Sequence, residues 1–152
     1  MKIFNSNKES HWNPIAEFLM LLAFIGFVFG SIMSAFTIAR APISIVNVAI
    51  SLFMVYVTLR LLDNNRIAMY VFFAYLLIQV IMSYTIPQTA TQYWIVTFVL
   101  YAISFCLPKD GKTTWVIIHN SPQNVTMDAK DKKLFYVICM ISALSAAIGY
   151  IV

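Results

Sequence analysis

Long apolar stretches alternate with short polar breaks along most of the chain. Each stretch is roughly 20 residues long, which is the length that an α-helix needs to cross the hydrocarbon core of a bilayer. Prolines, glycines and clustered polar residues mark the breaks, as expected where helices begin or end. The pattern predicts an all-α polytopic membrane protein with a single membrane domain over residues 1–152, built as a bundle of five transmembrane helices at about 14–38, 42–62, 67–86, 89–107 and 134–152.

The composition supports this prediction. The chain is 61% hydrophobic and 11% charged, and the charged share is less than half of the roughly 25% found in soluble domains. Because so few charged residues cannot form a water-soluble surface, membrane lipids must cover much of the protein. No basic run is interleaved with aromatic residues, and direct binding of nucleic acid is therefore not expected.

The first helix is predicted to begin at Asn13-Pro14, because asparagine caps helices and proline suits the first helical position. Trp12 precedes it, where an aromatic anchor at the membrane interface belongs. Farther along this helix, small residues recur every four positions at Gly26, Gly30 and Ser34. Such a stripe lets another helix approach closely. We interpret it as helix packing within the chain, with a homodimer face as the alternative.

The basic residues predict an orientation. Nine of the ten lysine and arginine residues lie in or beside the odd-numbered segments outside the predicted helices, and Arg40 alone lies in an even-numbered segment. Basic residues accumulate on the cytoplasmic side of a membrane. The sequence therefore predicts a multipass protein of the cell (inner) membrane with a cytoplasmic N-terminus and an external C-terminus.

Residues 108–133 form the longest polar stretch of the sequence and are predicted to be one cytoplasmic loop. Their centre, residues 113–118, is apolar and β-branched, so a short strand, a segment at the membrane interface and a docking edge for a partner's strand are all considered. Such a centre needs cover, and tryptophan is a frequent anchor of interfaces. We predict that a cytoplasmic protein partner binds here through Trp115, Val116, Ile117, Ile118, Lys130, Lys132 and Lys133.

Polar residues within the second and third predicted helices fall on one face of each helix, at three- or four-residue spacing. Because the two helices run antiparallel, we predict that these residues meet in a polar seam where Asn47 faces Gln79. We interpret the seam as interhelical hydrogen bonding, with a small polar cavity that opens outward as the alternative. Its members are Ser44, Asn47, Ser51, Tyr75, Gln79 and Ser83.

The sequence carries no catalytic, phosphate-binding, cofactor or metal-ligand motif, so a non-enzymatic protein without a cofactor is expected. The first hypothesis is a small membrane subunit that anchors or regulates a cytoplasmic partner and associates with copies of itself. By analogy of size and composition alone, small bacterial immunity and phage-defence proteins suggest a role in self-protection. The alternative is a small oligomeric transporter or channel with a path along the seam of Asn47 and Gln79.

Overall fold

The computed structural model describes residues 12–85, 91–123 and 126–152. Helix accounts for 81% of the structure, which confirms the all-α fold class. Two short strands, β1 (Pro108–Lys109) and β2 (Lys112–Thr113), pair as an antiparallel hairpin. The helices in the described ranges are α1 (Pro14–Phe36), α2 (Ser44–Leu62), α3 (Arg66–Thr85), α4 (Thr91–Cys106), α5 (Thr114–Asn120) and α6 (Ala129–Ile151).

By length and composition, α1, α2, α3 and α6 could each cross a membrane. This is compatible with a helical bundle in a membrane, as the sequence predicts. The helix α4 is also apolar but has 16 residues, which corresponds to about 24 Å at ~1.5 Å per residue. It begins next to residues 86–90, which lie outside the described ranges. The count of five crossings therefore stays a prediction.

The largest difference from the predicted helix bounds concerns α6, which begins at Ala129 rather than at Leu134. Lys130, Lys132 and Lys133 therefore lie in a helix and not in a loop. Alanine and lysine are good helix formers. A helix start that is predicted from apolar residues alone leaves out a polar first turn such as that of α6. The prediction of one loop over residues 108–133 is wrong in this respect.

The part of that loop before residue 121 is also folded. Asp110 and Gly111 adopt left-handed backbone angles, with φ of 54° and 78°, and the tight turn between the strands needs this conformation. The Thr113 hydroxyl oxygen then accepts a hydrogen bond from the Val116 amide at 3.2 Å and caps α5. The cap favours a helix over a strand although the residues that follow are β-branched. A short strand over residues 113–118, one of the three predicted alternatives, is thus wrong beyond Thr113.

The residues of the structure divide into two compact units. The first unit contains residues 12–20 and the described part of Leu61–Gln123. The second unit contains Leu21–Arg60 and residues 126–152. The assignment of residues 1–152 to one membrane domain stays a prediction.

Aromatic rings form much of the core of the first unit. Phe72 of α3 meets Tyr101 of α4 with ring centroids 5.1 Å apart, and Phe105 packs against Trp12 at 5.5 Å. Trp12 is only 2% exposed, and its indole nitrogen donates a hydrogen bond to the Asn64 side chain at 2.7 Å. The prediction that Trp12 anchors the chain at the membrane interface is therefore wrong, because this side chain is buried and its N–H is bonded within the protein.

In the second unit, small residues let α1 and α6 approach closely. A Cβ atom on Gly149 would collide with the backbone carbonyl of Phe36, so only glycine fits there. The hydroxyl oxygens of Ser31 and Ser142 lie 3.2 Å apart. Ser31 donates its own hydrogen to the Val28 carbonyl at 2.8 Å, and Ser142 is therefore the donor between the two serines.

Candidate functional site

Asn13 joins the start of α1 to the start of α5. Its side-chain oxygen accepts a hydrogen bond from the Ala16 amide at 2.9 Å, which confirms the predicted helix cap. Its side-chain nitrogen donates to the carbonyls of Ser104 and Leu107, at 2.8 Å and 3.2 Å, and to the Thr114 hydroxyl at 3.2 Å. Carbonyls at the end of a helix lack partners within it. Asn13 satisfies two of them at the end of α4. Within the first unit it thereby connects the end of α4 to the start of α5.

Gln123 holds the other end of the same stretch. Its side-chain oxygen accepts a hydrogen bond from the Arg66 amide at 2.8 Å, and its side-chain nitrogen donates to the carbonyls of Asn64 and Ser121 at 3.1 Å and 2.9 Å. Residues 108–123, here called the folded segment, are therefore bonded through Thr114 and through Gln123 to other parts of the first unit. The position of α5 is set within the chain itself.

The apolar residues of α5 differ in burial. Ile117 and Ile118 are 8% and 0% exposed, whereas Trp115 and Val116 are 40% and 39% exposed. The structure thus corrects the prediction that all four are available to a partner, because Ile117 and Ile118 are buried within the protein. Trp115 and Val116 remain as the apolar contact residues of the candidate site.

The Trp115 ring is held by two other side chains. It stacks on His119 with centroids 4.8 Å apart, and it meets the edge of Tyr70 of α3 at 5.8 Å. The Nδ1 atom of His119 lies 2.8 Å from the Trp115 carbonyl oxygen. A carbonyl only accepts hydrogen bonds, so Nδ1 carries a hydrogen and donates it, and Nε2 lies 2.6 Å from the Tyr70 hydroxyl oxygen. We call Tyr70, Trp115 and His119 the aromatic platform.

Sequence reasoning missed Tyr70 and His119 as parts of this site. The pair Trp115 and His119 has the four-residue spacing of one helix face, which is visible only if residues 114–120 are treated as a helix. The contact with Tyr70 joins residues 45 or more positions apart, and no local pattern indicates it.

A groove of about 520 Å³ lies between the hairpin and the end of α5. Two lysines of the hairpin contribute to it, together with one carboxylate. On α5 the groove reaches the buried Ile117, on another side of the helix from Trp115. Its lining residues are Lys109, Asp110, Lys112, Ile117, Asn120, Ser121 and Pro122.

The three predicted lysines of the partner site lie on a different element from Trp115. Lys130, Lys132 and Lys133 are exposed on the first turns of α6, in the second unit. Whether they share one binding surface with the folded segment stays a prediction.

The members of the predicted seam differ in burial. Ser44 and Ser83 are buried, and Asn47 is exposed on α2, which is not the enclosed position predicted for it. The Ser83 hydroxyl donates to the Val80 carbonyl of its own helix at 2.6 Å, and the Ser44 hydroxyl oxygen accepts from the Thr37 hydroxyl at 3.1 Å. These contacts favour local packing over a polar path, while the pairing of Asn47 with Gln79 stays a prediction. The half-buried members are Ser51, Tyr75 and Gln79.

The small residues of the predicted stripe on α1 also differ in their surroundings. A Cβ atom on Gly30 would meet the Ser51 hydroxyl oxygen at 3.5 Å, so Gly30 lies against another helix of the second unit. Gly26 is exposed, with open space where its Cβ would be, and Ser34 is half-buried. Gly149, which lies against the Phe36 backbone, was not predicted from the sequence.

Comparisons of the sequence with models of protein families, with curated proteins and with solved structures find no match. Function is therefore inferred from the aromatic platform, the groove and the exposed residues of the helices.

Proposed function

We propose that this protein is a non-enzymatic multipass membrane subunit that anchors or regulates a cytoplasmic protein through its folded segment and associates with copies of itself. The observation that carries the proposal is the exposure of Trp115 and Val116 on a helix that is bonded to the rest of the first unit. A surface that is ordered before binding loses little conformational freedom when a partner arrives.

In this proposal the chain crosses the inner membrane five times, with the N-terminus in the cytoplasm and the C-terminus outside. The support is the distribution of lysine and arginine. The folded segment then lies on the cytoplasmic side, where a soluble partner can reach it. A topology reporter fused after Val152 is expected outside the cytoplasm, and a cytoplasmic reporter would contradict the arrangement.

The aromatic platform and the groove indicate the chemistry of the partner. The aromatic platform offers a rigid ring for apolar side chains, and tryptophan and tyrosine are frequent energetic centres of interfaces. The groove adds Lys109 and Lys112 against a single Asp110, so its charge is complementary to an acidic group. The expected partner surface presents apolar side chains to Trp115 and an acidic side chain to the groove.

The test places a photo-crosslinking amino acid at Val116 in cells that produce the full chain. We expect an adduct with one soluble protein, and that protein, once purified, should bind the membrane subunit in vesicles. Replacing Trp115→Ala should weaken this binding by at least 30-fold, the size of a ~2 kcal/mol interface centre. The matched control is Trp94→Ala, because Trp94 also packs on two rings of the first unit, Tyr93 at 5.2 Å and Tyr75 at 6.5 Å.

Ile117 is left unchanged in this test because it is buried and its replacement would disturb the fold. Val116→Asp serves as the second variant, since it places a charge on the exposed face alone. Adducts with lipid or with other copies of the chain only, or equal binding by the Trp115→Ala and Trp94→Ala variants, would overturn the proposal.

A further inference from the structure

A pocket of about 280 Å³ lies beside the first turns of α6. All of its lining residues belong to the second unit, so one unit forms the whole lining. Among the described residues that line it, a lysine is the only charged one, and three others are aromatic. The lining consists of Tyr56, Thr126, Met127, Lys132, Phe135 and Tyr136.

The pocket has a cationic part and an aromatic part. Phe135 and Tyr136 follow Lys132 by three and four residues, the spacing that places side chains on one face of a helix. Across the pocket, Tyr56 of α2 meets the Phe135 ring edge to face, with centroids 6.0 Å apart. The ammonium group of Lys132 and a set of rings therefore line one small space.

The two parts lie at different depths along the helices. Both α2 and α6 are long and apolar enough to cross a membrane. Tyr56 lies six positions before the end of α2 at Leu62, and Phe135 lies six positions after the start of α6 at Ala129, which is about 9 Å from each helix end. Lys132 is about 4.5 Å from the start of α6, and its long side chain extends toward water.

This arrangement matches the chemistry of a phospholipid. In helices that cross a membrane, charged groups near the helix end meet lipid headgroups, and rings one turn deeper meet the glycerol and the upper acyl chains. The positive charge of Lys132 is complementary to a headgroup phosphate. The carboxylate of Asp131, one residue earlier, is 3% exposed and does not line the pocket.

We propose that this pocket binds one molecule of an anionic phospholipid, with the phosphate at Lys132 and the glycerol and upper chains against Phe135 and Tyr136. A zwitterionic choline lipid binds less well, because its headgroup carries a positive charge of its own beside the phosphate. The inference goes beyond the proposed function, since no protein partner takes part in it. It assigns Lys132 to a lipid rather than to the predicted partner site.

The test uses native mass spectrometry of the full chain, released from uncharged maltoside micelles that contain a known fraction of phosphatidylglycerol or phosphatidylcholine. We expect one phosphatidylglycerol to be retained with at least about five-fold higher apparent affinity than phosphatidylcholine. Lys132→Ala should lower the affinity for phosphatidylglycerol about five-fold, which corresponds to about 1 kcal/mol for one basic residue at a membrane surface.

Lys133→Ala is the matched control. It removes the same charge from the next residue of α6, which is exposed but does not line the pocket, and the affinity should change by less than about two-fold. A second pair of variants tests the aromatic part. Tyr136→Ala should weaken lipid retention, whereas Tyr150→Ala, at the other end of α6, should not. The two tyrosines are 61% and 70% exposed, so neither change disturbs the core.

Inorganic phosphate separates a lipid site from a site for the free anion. Phosphate lacks the chains that contact the rings, so a ten-fold excess over phosphatidylglycerol should leave lipid retention unchanged. Displacement of the lipid by phosphate would overturn the lipid assignment. Equal retention of the two lipids, or equal losses in Lys132→Ala and Lys133→Ala, would show diffuse attraction and would overturn the pocket itself. None of these results depends on a partner at Trp115, so the proposed function is tested separately.

Discussion

The contacts within the first unit differ in kind from the contacts within the second unit. In the first unit, polar side chains bridge distant parts of the chain, with Asn13 bonded to the ends of α4 and α5 and Gln123 bonded to the turn before α3. In the second unit, helix backbones approach closely where small residues permit it, as at Gly149 beside Phe36. Hydrogen bonds from side chains to the backbone connect distant residues in the first unit, and a glycine permits the close approach of two helices in the second.

The difference corresponds to what each unit presents. Close packing of small residues suits helices that are surrounded by lipid, where apolar burial gives little driving force. Hydrogen bonds at both ends suit a short helix such as α5, which is too short to be stable alone and must be fixed to present Trp115. The same contrast predicts which substitutions each unit tolerates.

The largest effect is expected from Gly149→Val. A Cβ atom at this position collides with backbone rather than with a mobile side chain, so α1 and α6 must separate. The expected loss is about 3 kcal/mol or more of unfolding free energy, the upper range for overpacking. The measurement is denaturant unfolding of the purified chain in micelles, followed by circular dichroism.

Gly26→Val is the control, because its Cβ would enter open space. It should change the free energy of unfolding by less than about 0.5 kcal/mol, as surface substitutions usually do. Equal stability of the Gly149→Val and Gly26→Val chains would contradict the close approach at Gly149.

An intermediate effect is expected in the first unit from Asn13→Ala. This change removes the cap of α1 and leaves buried carbonyls of α4 without a donor, for a loss of about 2 kcal/mol of unfolding free energy. Asn13→Ser keeps a capping oxygen but cannot reach the carbonyls, so it should recover about 1 kcal/mol of that loss. The same unfolding experiment measures both, and an Asn13→Ser chain as unstable as Asn13→Ala would show that the cap contributes little.

The smallest effect is expected from Ser31→Ala in the second unit. The Ser31 and Ser142 hydroxyls share one hydrogen bond at 3.2 Å, and interhelical bonds of this kind contribute about 0.6 kcal/mol on average. If polar contacts were as important in the second unit as in the first, Ser31→Ala would lower the free energy of unfolding by as much as Asn13→Ala does.

Local features of the fold could be predicted from the sequence, and contacts between distant residues could not. The cap at Asn13 depends on neighbouring residues, and the prediction of it is confirmed. The bonds from Asn13 to Ser104 and Thr114 join residues about 90 to 100 positions apart, and no spacing in the sequence indicates them. The collision that reserves position 149 for glycine likewise depends on a backbone more than 100 residues away.

The candidate site shows the same limit. Trp115 and Val116 could be selected from the sequence as apolar residues in a polar stretch. Ile117 and Ile118 looked equivalent to them, because an apolar run of six residues carries no clear period. The burial of the two isoleucines depends on how α5 packs within the first unit, which no local pattern indicates.

The most direct test of the proposed function asks whether the exposed face of α5 meets water, where a soluble partner can bind it. A spin label at Val116, in a chain with Cys106→Ser and Cys139→Ser reconstituted in vesicles, reports its collisions with a water-soluble nickel complex and with membrane-dissolved oxygen. Labels at Lys112 of the hairpin and at Val96, which is 55% exposed on α4, give the aqueous and lipid references. We expect the label at 116 to collide with nickel as the label at 112 does. Preferential collision with oxygen, as at 96, would show that α5 lies in the lipid and would contradict a partner surface on this face.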